Sequence, residues 1–432
     1  QSGPAESRPM IRRIELAVIA LVVVIAALST GAQFLFFLVY LGILVVGGSY
    51  VVTRFGLADL EAGYVLDRLH AQTGDILRAS YTVRNTSRLP KFWLEVRNPS
   101  TLPVELPAEA VGLGPRAEKS WSVRVPLTRR GHFRVEPVAL RTGDPLGLFE
   151  SQASVGAASN VIVYPHVDAL PAWKLPPALI EGSNAHPERT PHTTPHATSI
   201  RPYTSGDPYN RIHWKSTARH SELQVKEFDL EQTADVWIFL DLERTAHAGD
   251  GDESTLEYGV RLAASIAARG LLENRNVAMT ASGARLGPLP PDRGPRQYQK
   301  IMQTLAAVQA DGEERLSHVL VEGVGRLRRG MTAIVITPSL ERDWVRPLTS
   351  LRGRGVVLEV VLLDAPAFAA QHRRDTGHVE PTEEITQGEQ RSARSLRHAL
   401  AEFDILWHTI LPMEPLAGQL VTRRERRTAA AA

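Results

Sequence analysis

The chain of 432 residues contains no cysteine. This absence excludes disulfide bonds, thiolate nucleophiles, iron–sulfur clusters and every cysteine-based zinc site. An excess of either charge is lacking too, because 49 Lys and Arg nearly balance 47 Asp and Glu and leave a net charge of +2. Aromatic residues make up only 6% of the chain, so its overall charge and composition do not predict nucleic-acid binding.

Several catalytic motifs are also missing from the sequence. It has no phosphate-binding Gly-x-x-x-x-Gly-Lys-Ser/Thr loop, no dinucleotide glycine fingerprint, no His-Glu-x-x-His and no Gly-x-Ser-x-Gly. The apolar fraction of 43% is nevertheless sufficient for two or three domains with substantial cores. We therefore expect a folded multidomain protein of the α+β class that is not an enzyme.

Two apolar runs, residues 14–28 and 34–52, lie near the N-terminus. Each approaches the roughly 20 residues that a membrane-spanning helix needs. Arginines flank the pair on both sides and the turn between the runs carries no charge, so the positive-inside rule places both ends in the cytoplasm. Residues 1–58 are therefore predicted to form a two-span transmembrane hairpin in the cell membrane. The alternative is a signal peptide with an apolar core over residues 16–28.

Residues 59–168 show a period of two. Leu77, Ala79, Tyr81 and Val83 alternate with polar residues, which is typical of strands with one buried face. Short segments rich in Asn, Gly, Pro and Asp separate these strands. The pattern predicts a small antiparallel β-sandwich of immunoglobulin-like size that binds something or acts as a spacer.

Residues 169–200 are rich in proline, threonine and histidine and lack periodicity. We predict a linker or a long loop here. His186, His192 and His196 could be interpreted as a metal-binding tract, but the prolines around them argue against the helix that would place them on one face.

Residues 231–412 alternate between short apolar runs and amphipathic segments. Strands are expected at 236–240, 277–280, 332–337, 356–363 and 405–408. Helices are expected at 256–272, 298–308, 344–351 and 394–402. This order predicts a parallel sheet covered on both faces, a doubly wound α/β domain. The polar stretch 366–390 is expected to be a loop, and residues 413–432 a basic and alanine-rich tail.

Residues 201–219 carry a recognisable signature, which continues into a strand expected after Leu223. It resembles the bacterial family known as domain of unknown function 58, in which a Tyr, Gly-Asp, Arg-x-Ile-x-Trp and Ala-Arg recur at this spacing. The matching residues are Tyr203, Gly206, Asp207, Arg211, Ile212, Trp214, Ala218 and Arg219. Arg130-Gly131 and the segment from Asp144 to Phe149 are similar to the upstream region of that family, so the likeness covers nearly the whole chain.

The signature segment, residues 201–230, predicts a structured corner from its residues alone. Gly206 permits a turn, Asp207 can bond a nearby backbone group, and Ile212 and Trp214 are expected to be buried anchors. A stabilising latch and a partner-binding surface both remain open. The residues assigned to either role are Tyr203, Gly206, Asp207, Arg211, Trp214, Lys215, Ala218 and Arg219.

The α/β portion resembles a von Willebrand factor A-like domain. In metal-binding members the first strand ends in Asp-x-Ser-x-Ser, which helps to hold magnesium. Here Asp241, Glu243 and Thr245 occupy those three positions, and their oxygen atoms suit a hard cation. The site looks degenerate, because Glu243 is longer than the usual hydroxyl residue and Thr337-Pro338-Ser339 follows the later strand where an Asp is expected. The alternative is a strand-end Asp that caps the next segment.

The features combine into a membrane-anchored cytoplasmic adaptor or scaffold that binds protein partners. The family resemblance implies a MoxR-type AAA+ ATPase as partner, in the assembly or maturation of envelope complexes. One alternative is an envelope hydrolase acting through carboxylates such as Asp207 and Asp241, which predicts a pocket with a perturbed carboxylate pair. Another is a metal-dependent ligand-binding receptor. Where the hydrolase predicts a pocket, the adaptor predicts an exposed patch.

Overall fold

The computed structural model describes residues 8–420 apart from 172, 176–198, 205–208, 210–211, 221, 228–234, 282–286 and 378–382. The chain divides into two units, Gln1–His166 and Val167–Ala432. The division falls beside the end of the expected sandwich at residue 168. Each unit has its own core and is described separately.

The first unit begins with helices α1 (Arg8–Thr30) and α2 (Gln33–Gly56), joined through Gly31 at a φ of 66°. Within the described residues, α2 is the one helix long and apolar enough to cross a membrane. The part of α1 whose side chains are described, Val18–Thr30, is apolar. One candidate span is therefore described near the N-terminus, and the second span stays a prediction.

Ten strands follow α2 in the first unit. They are β1 (Leu60–Leu66), β2 (His70–Gln72), β3 (Ile76–Asn85), β4 (Lys91–Arg97), β5 (Glu109–Leu113), β6 (Glu118–Pro126), β7 (Gly131–Val135), β8 (Val138–Gly143), β9 (Glu150–Val155) and β10 (Ser159–Tyr164). They form sheets of order β1-β3-β6, β2-β10-β7 and β5-β4-β8-β9. Burial alternates strictly along β3, as predicted. The expected all-antiparallel pairing is wrong at one place, because β2 and β10 are parallel.

The last two turns of α2 dock onto this β-rich region. Ser49 and Thr53 are buried there, and the ring of Tyr50 meets Phe149 edge-on at 5.8 Å between centroids. The ammonium of Lys91 donates a 2.6 Å hydrogen bond to the carbonyl oxygen of Phe55. A cation at this position bonds a carbonyl at the helix end and complements the negative end of the helix dipole.

The second unit is built on a six-stranded sheet. Its strands are β13 (Val236–Leu240), β14 (Val277–Ala281), β15 (Leu289–Asp292), β16 (Thr332–Thr337), β17 (Val357–Leu363) and β18 (Leu406–Ile410). The order is β15-β14-β13-β16-β17-β18, and all pairs are parallel except β14 with β15. Before this sheet, β11 (Ser199–Pro202) and β12 (Gln224–Glu227) form a separate antiparallel pair around helix α3 (Trp214–His220). The parallel strands fall where the sequence predicts them.

Helices cover both faces of the six-stranded sheet. They are α4 (Thr255–Leu272), α5 (Pro295–Ala307), α6 (Leu316–Val324), α7 (Val345–Gly353), α8 (Ala365–Thr376), α9 (Glu383–Glu402) and the short α10 (Leu416–Gln419). Gly259 of α4 lies against Leu240, Ile336 and Leu363 on one face. Residues of α6, α7 and α9 share a core with Phe239 and Val335 on the other. This two-sided covering is why β13 and β16 are buried along their entire length.

Two expectations are corrected here. The described part of the stretch 366–390 is helical and not a loop, because α8 runs to Thr376 and α9 begins at Glu383. Capping defines α8, since the Asp364 carboxylate accepts from the Ala367 amide at 3.2 Å and Gly377 ends the helix at a φ of 68°. The linker prediction is wrong at its start, where Leu170, Trp173 and Leu175 are buried.

Trp173 fixes the start of the second unit to its sheet. The indole N–H donates to the Glu359 carboxylate at 2.7 Å, and the same oxygen lies 2.9 Å from a ring nitrogen of His408. Beside it, Asp168 forms an ion pair with Arg261 at 3.0 Å. The histidine tract of the expected linker lies outside the described residues.

Candidate functional site

The signature segment folds as a β-hairpin that carries α3. Strands β11 and β12 pair in antiparallel register from Ser199 opposite Glu227 to Pro202 opposite Gln224. Ile212 forms a further bridge to Val225, and both side chains are buried. Ile212 is therefore the apolar anchor that the sequence predicts. Gly206, Asp207 and Arg211 lie outside the described residues.

Trp214 is not the second buried anchor. Its side chain is 66% exposed, and Lys215, Ala218 and Arg219 are exposed as well. Counted from Trp214, the other three residues follow after one, four and five positions on α3. The four side chains therefore form one continuous helix surface. We call them the α3 face. Because an exposed Trp close to cationic side chains is typical of interface hot spots, the α3 face is the first candidate binding surface.

Polar contacts on the opposite side of α3 hold this face in place. The imidazole of His213 lies 2.7 Å from the Ser216 hydroxyl, and the His213 amide donates to the Gln224 carbonyl at 2.8 Å. The Thr217 hydroxyl accepts from the Gln224 amide at 3.0 Å. Strand β12 thus fixes the helix, and Trp214 need not pack inward.

Tyr203 and Tyr209 form a second aromatic feature of the signature. Their rings stack with centroids 6.1 Å apart. Tyr209 is 73% exposed, whereas Tyr203 is half-buried. The sequence places Tyr203 in the signature, but the exposure of its stacking partner follows from the fold.

The Asp241 loop lies at the carboxyl end of β13. Asp241 is completely buried. Its carboxylate accepts from the Thr337 hydroxyl at 2.7 Å and from the Glu243 amide at 3.0 Å. The Thr245 hydroxyl donates to the Glu243 carboxylate at 2.8 Å. Strand β16 ends at Thr337 beside β13, so parallel pairing brings together two residues that are far apart in sequence.

These contacts bear on the predicted magnesium site. Asp241, Glu243 and Thr245 lie in one loop, but their oxygens serve as partners of hydrogen bonds within the loop and to β16. Over the described ranges, no three His, Asp or Glu side chains are grouped to hold a metal ion. A magnesium site stays a prediction that this bonding does not favour, and no chemical role is derived from it.

His247 belongs to the same loop and was not identified from the sequence. One ring nitrogen lies 3.0 Å from the Thr255 hydroxyl and the other 3.0 Å from the Asp241 carbonyl oxygen. Burial lowers the pKa of His247 to about 4, although the bond to Asp241 opposes the shift. A neutral imidazole with both nitrogens engaged braces the loop and is poorly placed to act as a general base.

A cleft of about 620 Å³ opens beside this loop. It is lined by Glu243, Thr245 and His247 on one side and by Ser339, Glu341 and Glu389 among the residues on the other. From β13 the chain adds strands towards one edge of the sheet, and from β16 it adds them towards the other edge. Open α/β sheets bind ligands at the point where this direction changes. The cleft has the position of a binding site, and carboxylates dominate its charged groups.

Comparisons with known proteins agree with the sequence signature. Residues 199–395 match a family model described as protein of unknown function DUF58, a range that contains the α3 face and the Asp241 loop. The uncharacterised protein YeaD of Bacillus subtilis strain 168 is 23% identical over 347 residues, 78% of this chain and 83% of that protein.

Other similarities cover smaller parts of the chain. An uncharacterised protein of Mycobacterium tuberculosis strain H37Rv is 27% identical over 173 residues, which cover 38% of this chain and 53% of that protein. Among solved structures, the CARDB domain of the PF1109 protein from Pyrococcus furiosus aligns at a TM-score of 0.19 and 18% identity, over 24% of this chain and 92% of that domain. The family model and the bacterial relatives have descriptions that assign no activity.

Proposed function

We propose that this chain is a membrane-anchored scaffold that binds a protein partner through the α3 face. The observation that carries the proposal is the 66% exposure of Trp214 on a helix fixed by polar contacts from β12. Trp and Arg are the residues most enriched among energetic hot spots of protein interfaces. Trp214 and Arg219 supply one of each on the α3 face.

The chemistry of the α3 face suits a partner of a particular kind. Lys215 and Arg219 present positive charge, so the complementary surface is acidic. The indole of Trp214 needs an apolar pocket on that surface to gain from burial. The partner we propose is a MoxR-type AAA+ ATPase, and the pair would act in the assembly or maturation of envelope complexes.

The proposed anchor is the hairpin of α1 and α2, with both ends in the cytoplasm. The length of α2 and the arginines on either side of the hairpin support this arrangement. We also propose that the first unit is an immunoglobulin-like sandwich and that the second is a von Willebrand factor A-like domain. A parallel sheet with an antiparallel edge strand and helices on both faces supports the second assignment.

The test measures binding of a purified MoxR-type ATPase to the full chain in lipid nanodiscs. Trp214→Ala combined with Arg219→Ala is expected to weaken binding at least about 30-fold, the equivalent of one hot spot of about 2 kcal/mol. The matched control combines Leu272→Ala with Arg346→Ala, which removes another exposed apolar side chain and another exposed arginine from the same unit.

Folding of both double variants is checked by hydrogen exchange in β11 and β12. If the folded Trp214 variant binds like the wild type, the α3 face is not the partner surface. If the wild type binds no such ATPase, the scaffold proposal fails in this form. The hydrolase alternative would then be tested at Asp207 and Asp241.

A further inference from the structure

A groove in the first unit lies where α2 meets the β-rich region. Its volume is about 540 Å³, in the range of ligand-binding pockets. Val51, Val52 and Phe55 of α2 form one wall, and the segment from Leu89 to Trp93 forms the other. The lining is mostly apolar. Such an opening is unusual on a water-facing surface and calls for an occupant.

The rim of the groove is apolar and exposed. Phe92 is 79% exposed, Leu89 57% and Trp93 44%. We call these three residues the apolar rim. They come from the start of β4 and the segment just before it, which faces the end of α2 across the groove.

Docking of α2 fixes the distance between the helix and the rim. The hydroxyl of Ser49 bonds to the Asp144 carboxylate, and a side chain at Gly56 would meet the Thr142 methyl group at 2.6 Å. Burial raises the pKa of Asp144, but the amides of Phe149 and Leu146 and the Ser49 hydroxyl together hold it below its ordinary value. The charged carboxylate therefore keeps the sandwich close to α2.

The docking of α2 sets the depth of the rim. Ser49 and Thr53 are buried against the β-rich region, and the charged Asp144 bonds to Ser49, so the hydrocarbon part of the span ends before Ser49. The last two turns of α2 then cross the interfacial layer. The groove opens beside these turns, and the apolar rim lies at the same level.

We propose that the apolar rim is embedded in the interfacial layer of the membrane that α2 spans, with lipid acyl chains filling the groove. The surface of α2 that would contact lipid continues directly into the groove wall, since Val51, Val52 and Phe55 are all exposed. Trp and Phe are favoured at this depth. Arg54 and Arg88 flank the rim and are exposed, which suits anionic headgroups.

The absence of cysteine makes the test direct. Single cysteines at Phe92, Val65 and Leu44 in the full chain are spin-labelled, and the chain is reconstituted in vesicles of phosphatidylethanolamine and phosphatidylglycerol. Each label is measured for collisions with oxygen, which concentrates in lipid, and with a water-soluble nickel chelate. Val65 is the matched control, because it is an apolar residue of the same β-rich region that is 71% exposed and lies outside the groove.

We expect the oxygen-to-nickel ratio at position 92 to exceed that at position 65 several-fold. Equal ratios at the two positions would overturn the proposal. So would a label at position 92 that is immobilised and shielded from both reagents, because that result indicates a protein contact, such as a second copy of the chain.

The inference rests on the membrane anchor of the proposed function, and the label at Leu44 separates the two. Leu44 lies near the middle of α2 and is 72% exposed. A lipid signal at position 44 with a water signal at position 92 overturns only the rim proposal. A label at position 44 that collides mainly with the nickel chelate would contradict the membrane anchor itself.

Discussion

The sheets of the two units bury their residues in different ways. Along β3 in the first unit, buried and exposed residues alternate from Ile76 to Asn85. Along β13 and β16 in the second unit, every residue is buried. The first pattern belongs to a sheet with one covered face and the second to a sheet with helices on both. Truncating a side chain on either face of β13 should therefore lower stability. In β3, only truncation of the inward-facing side chains, which are every second residue, should do so.

The largest effect is expected in β13. Phe239→Ala should destabilise the second unit by about 3–5 kcal/mol and its neighbour Ile238→Ala by about 2–5 kcal/mol, because each leaves a cavity on a different covered face. The measurement is hydrogen exchange of the β13 and β16 amides in the full chain. A small effect at either position would show that one face of the sheet is not covered.

The sandwich should respond differently to a pair of adjacent changes. Leu77→Ala removes a fully buried side chain and should cost about 2–5 kcal/mol. Arg78→Ala, on the exposed face of the same strand, should change stability by less than about 0.5 kcal/mol. Exchange rates of the β3 amides measure both. Equal costs would contradict the alternation.

The histidine of the Asp241 loop predicts a pH effect confined to the second unit. The pKa of His247 falls from 6.5 to about 4 on folding, so the unfolded chain binds the additional proton between these values. The contribution of the neutral His247 to the stability of the second unit is therefore fully present above pH 6.5. It is lost as the pH falls towards 4, which lowers the free energy of unfolding by on the order of 3 kcal/mol. Denaturant unfolding across this range provides the measurement.

Two replacements control the pH experiment. His247→Gln should flatten the dependence between pH 6.5 and 4, and His398→Gln, at an exposed position of α9, should leave it as in the wild type. Persistence of the full dependence in the His247 variant would assign it to other groups.

A smaller effect is expected where β13 and β16 end. Thr337→Val keeps the shape but removes the hydroxyl that donates to the buried Asp241 carboxylate, at a cost of about 1.5–3 kcal/mol. Thr349→Val, at a hydroxyl that bonds within the exposed face of α7, is the control and should stay within about 0.5 kcal/mol. If the two variants are equally stable, the Asp241 contact is not a structural bond.

Local sequence patterns predicted much of the fold. The period of two in β3 and the continuous apolar runs of β13, β16 and β17 are direct consequences of which faces are covered, so the strands could be located from the sequence. In the stretch 366–390 the polar composition predicts a loop, but the capping residues at the two ends of α8 indicate a helix. Asp364 before the helix and Gly377 after it were the signals that could have identified α8.

The candidate site was less accessible to sequence reasoning. The α3 face could be located through the signature, but the exposure of Trp214 could not, since a Trp beside Ile212 fits a buried pair equally well. His247 carries no local pattern at all. The cleft beside it joins Glu243, Ser339 and Glu389, which only the parallel order of the strands and the position of α9 bring together.

The sequence by itself determined the apolar helix α2, the alternation along β3, the positions of the parallel strands and the signature. These features depend on neighbours within a few residues. The tertiary structure alone decided which side of α3 faces outward, that Asp241 bonds to Thr337 and that Trp173 reaches Glu359, a residue 186 positions away. Burial and buried hydrogen bonds depend on segments that are distant in sequence, so no local pattern can encode them.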